Sequence, residues 1–239
     1  MDSTGYIALS RQSGLMREMQ IVANNIANSA TTGYRQEGLV FSEYVQGIEG
    51  GASLSMGHGN VRHTSFVQGT LTQTGGTFDF AIEGDGFFLI QTPEGERVTR
   101  AGNFSPNAEG DLVTPDGHAV LDAGGAPVFI PPGAKSLSVS PDGSISADGA
   151  FVGQIGLVQP ADPTTLTREG GVLFRSDDGF EPSETARMLH GFVEDSNVDP
   201  IGQLARMIEI QRAYEMGQNF LNSEDERVRR AMDAMLKSS

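Results

Sequence analysis

Apolar positions recur with a helical period at the two ends of this chain and with a strand period between them. Near the start, Leu15, Met19, Val22 and Ile26 are spaced by four, three and four residues. Near the end, Met207, Ile210, Tyr214, Leu221, Val228, Ala231 and Met235 fit one alternating three/four series, interrupted at Gly217 and Glu224. Each series puts a narrow apolar seam on one side of a helix. Neither helix has a second one next to it in sequence, so each seam needs a partner from far along the chain or from another chain. That requirement points to assembly before it points to catalysis.

The spacing predicts a first helix over residues 4–28. Ala30-Thr31-Thr32-Gly33 reads as its stop, with Gly33 free to take a positive φ. Residues 36–77 show no clear period, and Gly47, Gly50, Gly51, Gly57 and Gly59 suggest an extended connector. Strand signals become dense from Phe78. Phe78, Phe80 and Ile82 alternate with Asp79, Ala81 and Glu83, and Gly84-Asp85-Gly86 then turns the chain into Phe87–Gln91. Thr92–Gly95, Asn107–Gly110, Pro115–Gly117 and Pro141–Gly143 are further turns. Val98–Arg100, Leu112–Thr114, Val128–Ile130, Leu137–Ser140 and Gln154–Val158 are short strands among them. The last helix has a defined start, because Asp199 can cap it and Pro200 suits its first turn. Running to about Leu236, it would be a rod of roughly 50 Å.

The composition changes near the same boundaries. Of 13 Phe, 12 lie between Phe41 and Phe192, whereas seven of nine Met lie at or before Met19 or at or after Met207. Aromatic and glycine-rich sequence suits strands and turns. Methionine is a pliable filler that suits adaptable helix interfaces. The expected fold is therefore α+β. Residues 1–35 form an N-terminal helix, 36–77 the connector, 78–190 a small antiparallel β domain and 191–239 a C-terminal helix.

Charge and residue usage remove several functions. The 239 residues carry a net charge of −15, which repels phosphate backbones and anionic membrane surfaces. Neither nucleic acid nor direct membrane insertion is expected, and the longest clearly apolar run, Phe87–Ile90, is far too short to span a bilayer. The chain has no cysteine, which removes disulfides, thiolate zinc sites and cysteine nucleophiles. His58 and His63 are expected in a glycine-rich loop, with no companion at metal-ligand spacing. Asp-Gly pairs such as Asp116-Gly117 and Asp142-Gly143 read as turns rather than calcium loops. With no convergent acid/base or nucleophile set, no catalytic residue, metal or cofactor is expected. The start lacks a basic segment followed by an apolar one, so a cleaved secretory signal is not expected either.

Two polar motifs lie on the helices that carry the seams. Ala23-Asn24-Asn25-Ile26-Ala27-Asn28 places three Asn in six residues. They suit a fraying helix end, and equally an interface where amides bond across packed helices and fix their register. Gln211-Arg212-Ala213-Tyr214 joins a guanidinium to an aromatic ring. In a single chain these read as a solvated flank and a core residue; in an interface both serve as anchors. The candidate assembly residues are Leu15, Met19, Val22, Asn24, Asn25, Ile26, Asn28, Met207, Ile210, Gln211, Arg212, Tyr214 and Leu221. The spacing does not decide whether the second seam keeps its register beyond Glu224.

Asn24-Asn25-Ile26-Ala27-Asn28 with Thr32-Gly33-Tyr34 resembles the N-terminal signature of bacterial flagellar rod and hook proteins. The resemblance continues through Gln68-Gly69-Thr70-Leu71, Asp79–Phe88, Thr99–Phe104 and Gly110–Thr114, and closes with Ser196–Pro200 and Met207–Glu215. The motifs stand in the family's order and cover nearly the whole chain. The resemblance implies that the two terminal segments pair on assembly as a coiled-coil domain in the inner tube of an axial structure, with the β domain as its outer layer. It implies a structural, non-enzymatic rod subunit; a distal-rod or hook subunit, or less readily a secreted β-domain hydrolase, are the alternatives. The implied partners are other rod subunits, further copies of itself in a helical assembly, and the flagellar type III export apparatus. The implied location is the periplasmic rod of the basal body, reached without a cleaved signal.

Overall fold

The computed structural model describes residues 3–46, 54–134 and 136–237, and their side chains except those of 3–7, 41–46, 54–62, 231 and 237. The chain divides into two units, each built from separated segments. A helical unit comprises Met1–Ser29, Gln36–Ser65 and Val198–Ser239, and a β unit comprises Ala30–Arg35 and Phe66–Asn197.

The helical unit holds α1 (Ser3–Ala27), β1 (Glu37–Gln46), β2 (Leu54–Thr64) and α2 (Pro200–Lys237). Both helix ends next to the β sequence are closed by local polar groups. At the end of α1, Asn28 N–H reaches the carbonyls of Asn24 and Asn25 at 3.1 and 3.2 Å, and Asn28 Nδ2 donates to Asn24 O at 2.9 Å. These bonds occupy carbonyls that a helix end otherwise leaves open. At the start of α2, Asp199 Oδ1 accepts from Ile201 N at 3.1 Å, and Pro200 sits where a missing N–H costs nothing.

Residues 37–46 and 54–64 pair as a ribbon where the sequence suggested a connector. β1 and β2 run antiparallel from Glu37 opposite Thr64 to Gln46 opposite Leu54, with an irregularity at Val40/Phe41. Gly57 and Gly59 lie within β2, as do His58 and His63, which are not in a loop; Gly47, Gly50 and Gly51 lie outside the described residues. Backbone N–H and C=O groups carry the pairing, and glycine supplies them as well as any residue. A ribbon of this kind leaves little periodic signal.

The β unit contains β3 (Leu71–Gln73), β4 (Phe80–Glu83), β5 (Phe87–Thr92), β6 (Gly95–Thr99), β7 (Ser105–Pro106), β8 (Leu112–Val113), β9 (Ala119–Val120), β10 (Leu137–Val139), β11 (Ser144–Ala147) and β12 (Ala150–Gln154). It continues with β13 (Leu157–Pro160), β14 (Thr167–Gly170), β15 (Leu173–Arg175), β16 (Phe180–Pro182), β17 (Arg187–His190) and β18 (Phe192–Glu194). The largest sheet has the order β14-β15-β6-β5-β9-β8-β7, with β13 pairing both β5 and β16. Smaller sheets are β10-β11-β12, β17-β4 and β18-β3, and every pairing named is antiparallel.

β5 explains why the run Phe87-Phe88-Leu89-Ile90 is apolar without alternation. Phe88 and Ile90 enter one core with Phe80, Ile82, Leu112 and Ile145, while Phe87 and Leu89 enter a second with Val98, Leu121 and Phe174. A strand covered on both faces has no polar side to show. Two expected strands differ from the sequence reading. Val128–Ile130 makes only one isolated bridge, Asp111 with Phe129, next to a second between Leu121 and Pro127; Pro127 and Pro131 flank it and supply no N–H for a ladder. Gln154–Val158 is split, because Ile155 and Gly156 leave β12 and bond across to Gly143 and Leu121 before β13 begins. Among the described residues no helix is long and apolar enough to cross a membrane.

Candidate assembly surface on the terminal helices

α1 and α2 pack side by side and antiparallel, and polar rungs among the described residues tie them. Gln12 Nε2 donates to Tyr214 O at 3.0 Å. Arg206 donates through Nε and Nη2 to Glu18 Oε1 at 2.8 and 2.5 Å. Asn25 Nδ2 donates to Gln203 Oε1 at 3.2 Å. As the α1 number rises the α2 number falls, which fixes direction and register together. The carboxylates of Glu18 and then Glu209 hold the Arg206 guanidinium above its ordinary pKa, so the guanidinium stays charged.

The apolar seam lies between the rungs. Val22 and Ile210 are buried, joined by Ile21; Leu15, Met19, Ile26, Met207, Tyr214 and Leu221 are half-buried. Gly217, an interruption in the apolar series, is a point of close approach: a Cβ there would lie 2.3 Å from Gln12 Nε2. A groove of about 420 Å³ opens beside it, walled by Ala8, Leu15, Met216 and Phe220.

The three Asn divide between the two expected roles. Asn25, 1% exposed, faces the packing: besides Gln203 it donates to Glu37 O at 2.8 Å and accepts from Glu37 N at 3.0 Å. Asn24 and Asn28 bond to each other and to the helix end, with Asn24 exposed and Asn28 half-buried. Gln211 and Arg212 are exposed. Arg212 falls on the outward face with Ile201, Leu204 and Ile208, three or four residues apart along the helix.

α2 is 38 residues long and α1 is 25. With Asn25 beside Gln203 near the start of α2, the far end of α2 runs on with no α1 alongside it. Residues 225–230 and 232–236 are all exposed. Val228, Met232 and Met235 continue the phase of the buried stripe, and are 42%, 53% and 69% exposed; the Ala231 side chain lies outside those described. The outward face carries a second uncovered stripe, Ile201, Leu204 and Ile208. Of the described α2 side chains only Ile210 is buried.

The β unit holds a polar cluster that no local pattern announces. Glu194, at the end of β18, lies between Arg35 Nη2 at 2.8 Å and Arg100 Nη1 at 3.1 Å, with all three side chains almost wholly buried. Burial lowers the Arg35 pKa to about 10, against the pull of Glu194, and lowers that of Arg100 as well; Arg35 stays charged near neutrality. Among the described residues no group of three or more His, Asp or Glu side chains could hold a metal ion.

Three family models match the chain. One described as flagella basal body rod protein covers residues 6–35. One described as the flagellar hook protein FlgE/F/G D1 domain covers 81–147, and one described as the flagellar basal body rod FlgEFG protein C-terminal region covers 189–234. The chain is 40% identical to the flagellar basal-body rod protein FlgF of Caulobacter vibrioides over 243 residues, covering 99% of both chains. It is 38% identical to FlgF of Mesorhizobium japonicum, over 90% of each. It is 34% identical to the rod protein FlgG of Bacillus subtilis, over 92% of this chain and 94% of that one.

Proposed function

The chain belongs to the flagellar basal-body rod protein family and is a structural subunit of the rod, and we propose that it polymerises through α1 and α2. The higher identity to FlgF relatives than to the FlgG relative supports a FlgF-type place in the rod rather than a distal one. The proposed neighbours are other rod subunits and further copies of this chain. Their contacts would be heterologous and follow a helical lattice, since such contacts extend without closing. Passage through the flagellar export apparatus to a periplasmic rod, with no catalytic step, belongs to the same proposal.

One observation carries the reading: α2 presents far more apolar surface than it covers. Ordering a residue costs about 1–2 kcal/mol of backbone entropy, and burying a large apolar side chain returns roughly 1.5–3 kcal/mol. A 38-residue helix with one buried side chain among those described does not meet that cost from its own contacts. Neighbouring subunits that cover Val228, Met232 and Met235 supply the remainder, so the far end of α2 becomes firm only in the assembled rod.

The double substitution Val228→Asp/Met232→Asp tests this, because both side chains are exposed in the single chain. The purified variant should match the parent in thermal melting yet fail to enter basal bodies, and cells that depend on it should not swim. Normal swimming would remove the α2 extension from the mechanism.

A further inference from the structure

The chain passes between its two units four times, at 29/30, 35/36, 65/66 and 197/198. On the β-unit side these passages meet around Glu194. Gly33 N–H donates to Glu194 O at 2.7 Å, and Asn197 N–H donates to Tyr34 O at 3.3 Å. Asn197 Nδ2 donates to Val67 O at 2.7 Å, and Arg35 Nη1 donates to the same carbonyl. Gly69 N–H donates to Glu194 Oε1 at 2.8 Å. The segment 30–35, the start of 66–197 and its end are thus bonded to one another within a few residues of every passage.

Arg100 joins this group to the folded sheet. It is not itself near a passage. Its Nη1 donates to Glu194 Oε2 and to Ile82 O, both at 3.1 Å, and its Nη2 donates to Gly84 O at 2.6 Å. β4 and the turn after it are therefore tied to the same carboxylate. Gly33, at φ +69°, lies so close to the segment after β6 that a Cβ would fall 2.2 Å from Ala101 N.

A buried carboxylate between two guanidiniums is a weak source of net stability, since desolvation offsets most of the attraction. Its hydrogen bonds are directional, however, and removing one partner leaves a charge buried and unpaired. We propose that Glu194, with Arg35 and Arg100, is a joint that fixes all four chain passages to the β unit, so that a force entering by one is shared by all. The residues act by positioning backbone. The need to share force rests on the rod reading; the existence of the joint does not.

Hydrogen exchange on the full-length chain tests the joint, because amides released locally exchange through local opening. Glu194→Gln should speed exchange at Gly69, whose N–H bonds to the carboxylate, by on the order of tenfold or more, the scale of a lost charge-assisted hydrogen bond, and at Gly33 and Asn197 by less, while Leu89 in β5 stays unchanged. Arg100→Met, which leaves Arg35 and Glu194 in place, should do the same to a smaller extent and serves if Glu194→Gln does not fold. Arg97→Met breaks the Arg97–Glu169 pair of the same unit and should leave those three amides as they are. Unchanged amides in both joint variants, or equal loosening by Arg97→Met, would overturn the joint. In cells, the joint variants should swim normally in dilute medium and lose speed in viscous medium; equal speed in both would overturn the sharing of force. Failure of the rod reading itself would show separately, as the parent chain being absent from basal bodies while the exchange result stood.

Discussion

Asn25 is 1% exposed and bonds to the backbone of Glu37 through both its amide atoms and to Gln203. Asn24, one residue earlier, is exposed and bonds to Asn28 at the end of the helix. Asn25→Ala should therefore destabilise the helical unit by about 1–3 kcal/mol, read as a lower urea midpoint, while Asn24→Ala should cost less than about 0.5 kcal/mol. Equal effects would mean that the buried bonds do not set the register. The Asn cluster was legible as a motif, but its division between a cap and an interface was not, because adjacent helix positions differ in direction by about 100° and only the packed partner says which one is covered. Glu194 was not legible at all. Its partners Arg35 and Arg100 are distant in sequence, and a lone Glu on a short strand carries no periodic or spacing signal.

At the scale of elements, helices and tight turns could be read because their causes are local. The Asp199-Pro200 start of α2 and the turns joining β5 to β6 and β10 to β11 fall where their residues demand. The short strands β17 and β18 could not be read, because their pairing is decided by remote partners: β18 pairs β3 and β17 pairs β4; the β1–β2 ribbon could not be read because its glycines leave no alternation. Gly217 is a case where a local reading misleads. It looks like a gap in the apolar series, yet its missing side chain leaves room for Gln12. Gly217→Leu would gain helix propensity, about 1 kcal/mol, and still push the Gln12 side chain off its bond to Tyr214 O. We expect limited proteolysis to cut the helices of this variant faster than those of the parent, with the melting of the β unit unchanged. Equal protection of the helices would show that the close approach is dispensable.

At the scale of the whole molecule, the charge of −15 opposes the proposed polymerisation. Like-charged subunits repel over a Debye length of ~30 Å at 0.01 M salt and ~8 Å at 0.15 M. Assembly of the purified chain, followed by light scattering, should be faster at ~0.15 M sodium chloride than at ~0.01 M. Slower assembly at the higher salt would mean that attractive charge pairs between subunits outweigh the net repulsion.

The helical unit is also discontinuous in time. α1 ends at Ala27 and α2 begins at Pro200, with Phe66–Asn197 of the β unit synthesised between them. At about 5–20 residues per second, the ribosome needs roughly 10–40 s to go from the end of the first helix to the end of the second. During that interval the apolar side of α1 has no counterpart on its own chain. The second helix is therefore a clock as well as a contact: a nascent subunit cannot offer a finished helix pair to a neighbour before α2 has been synthesised.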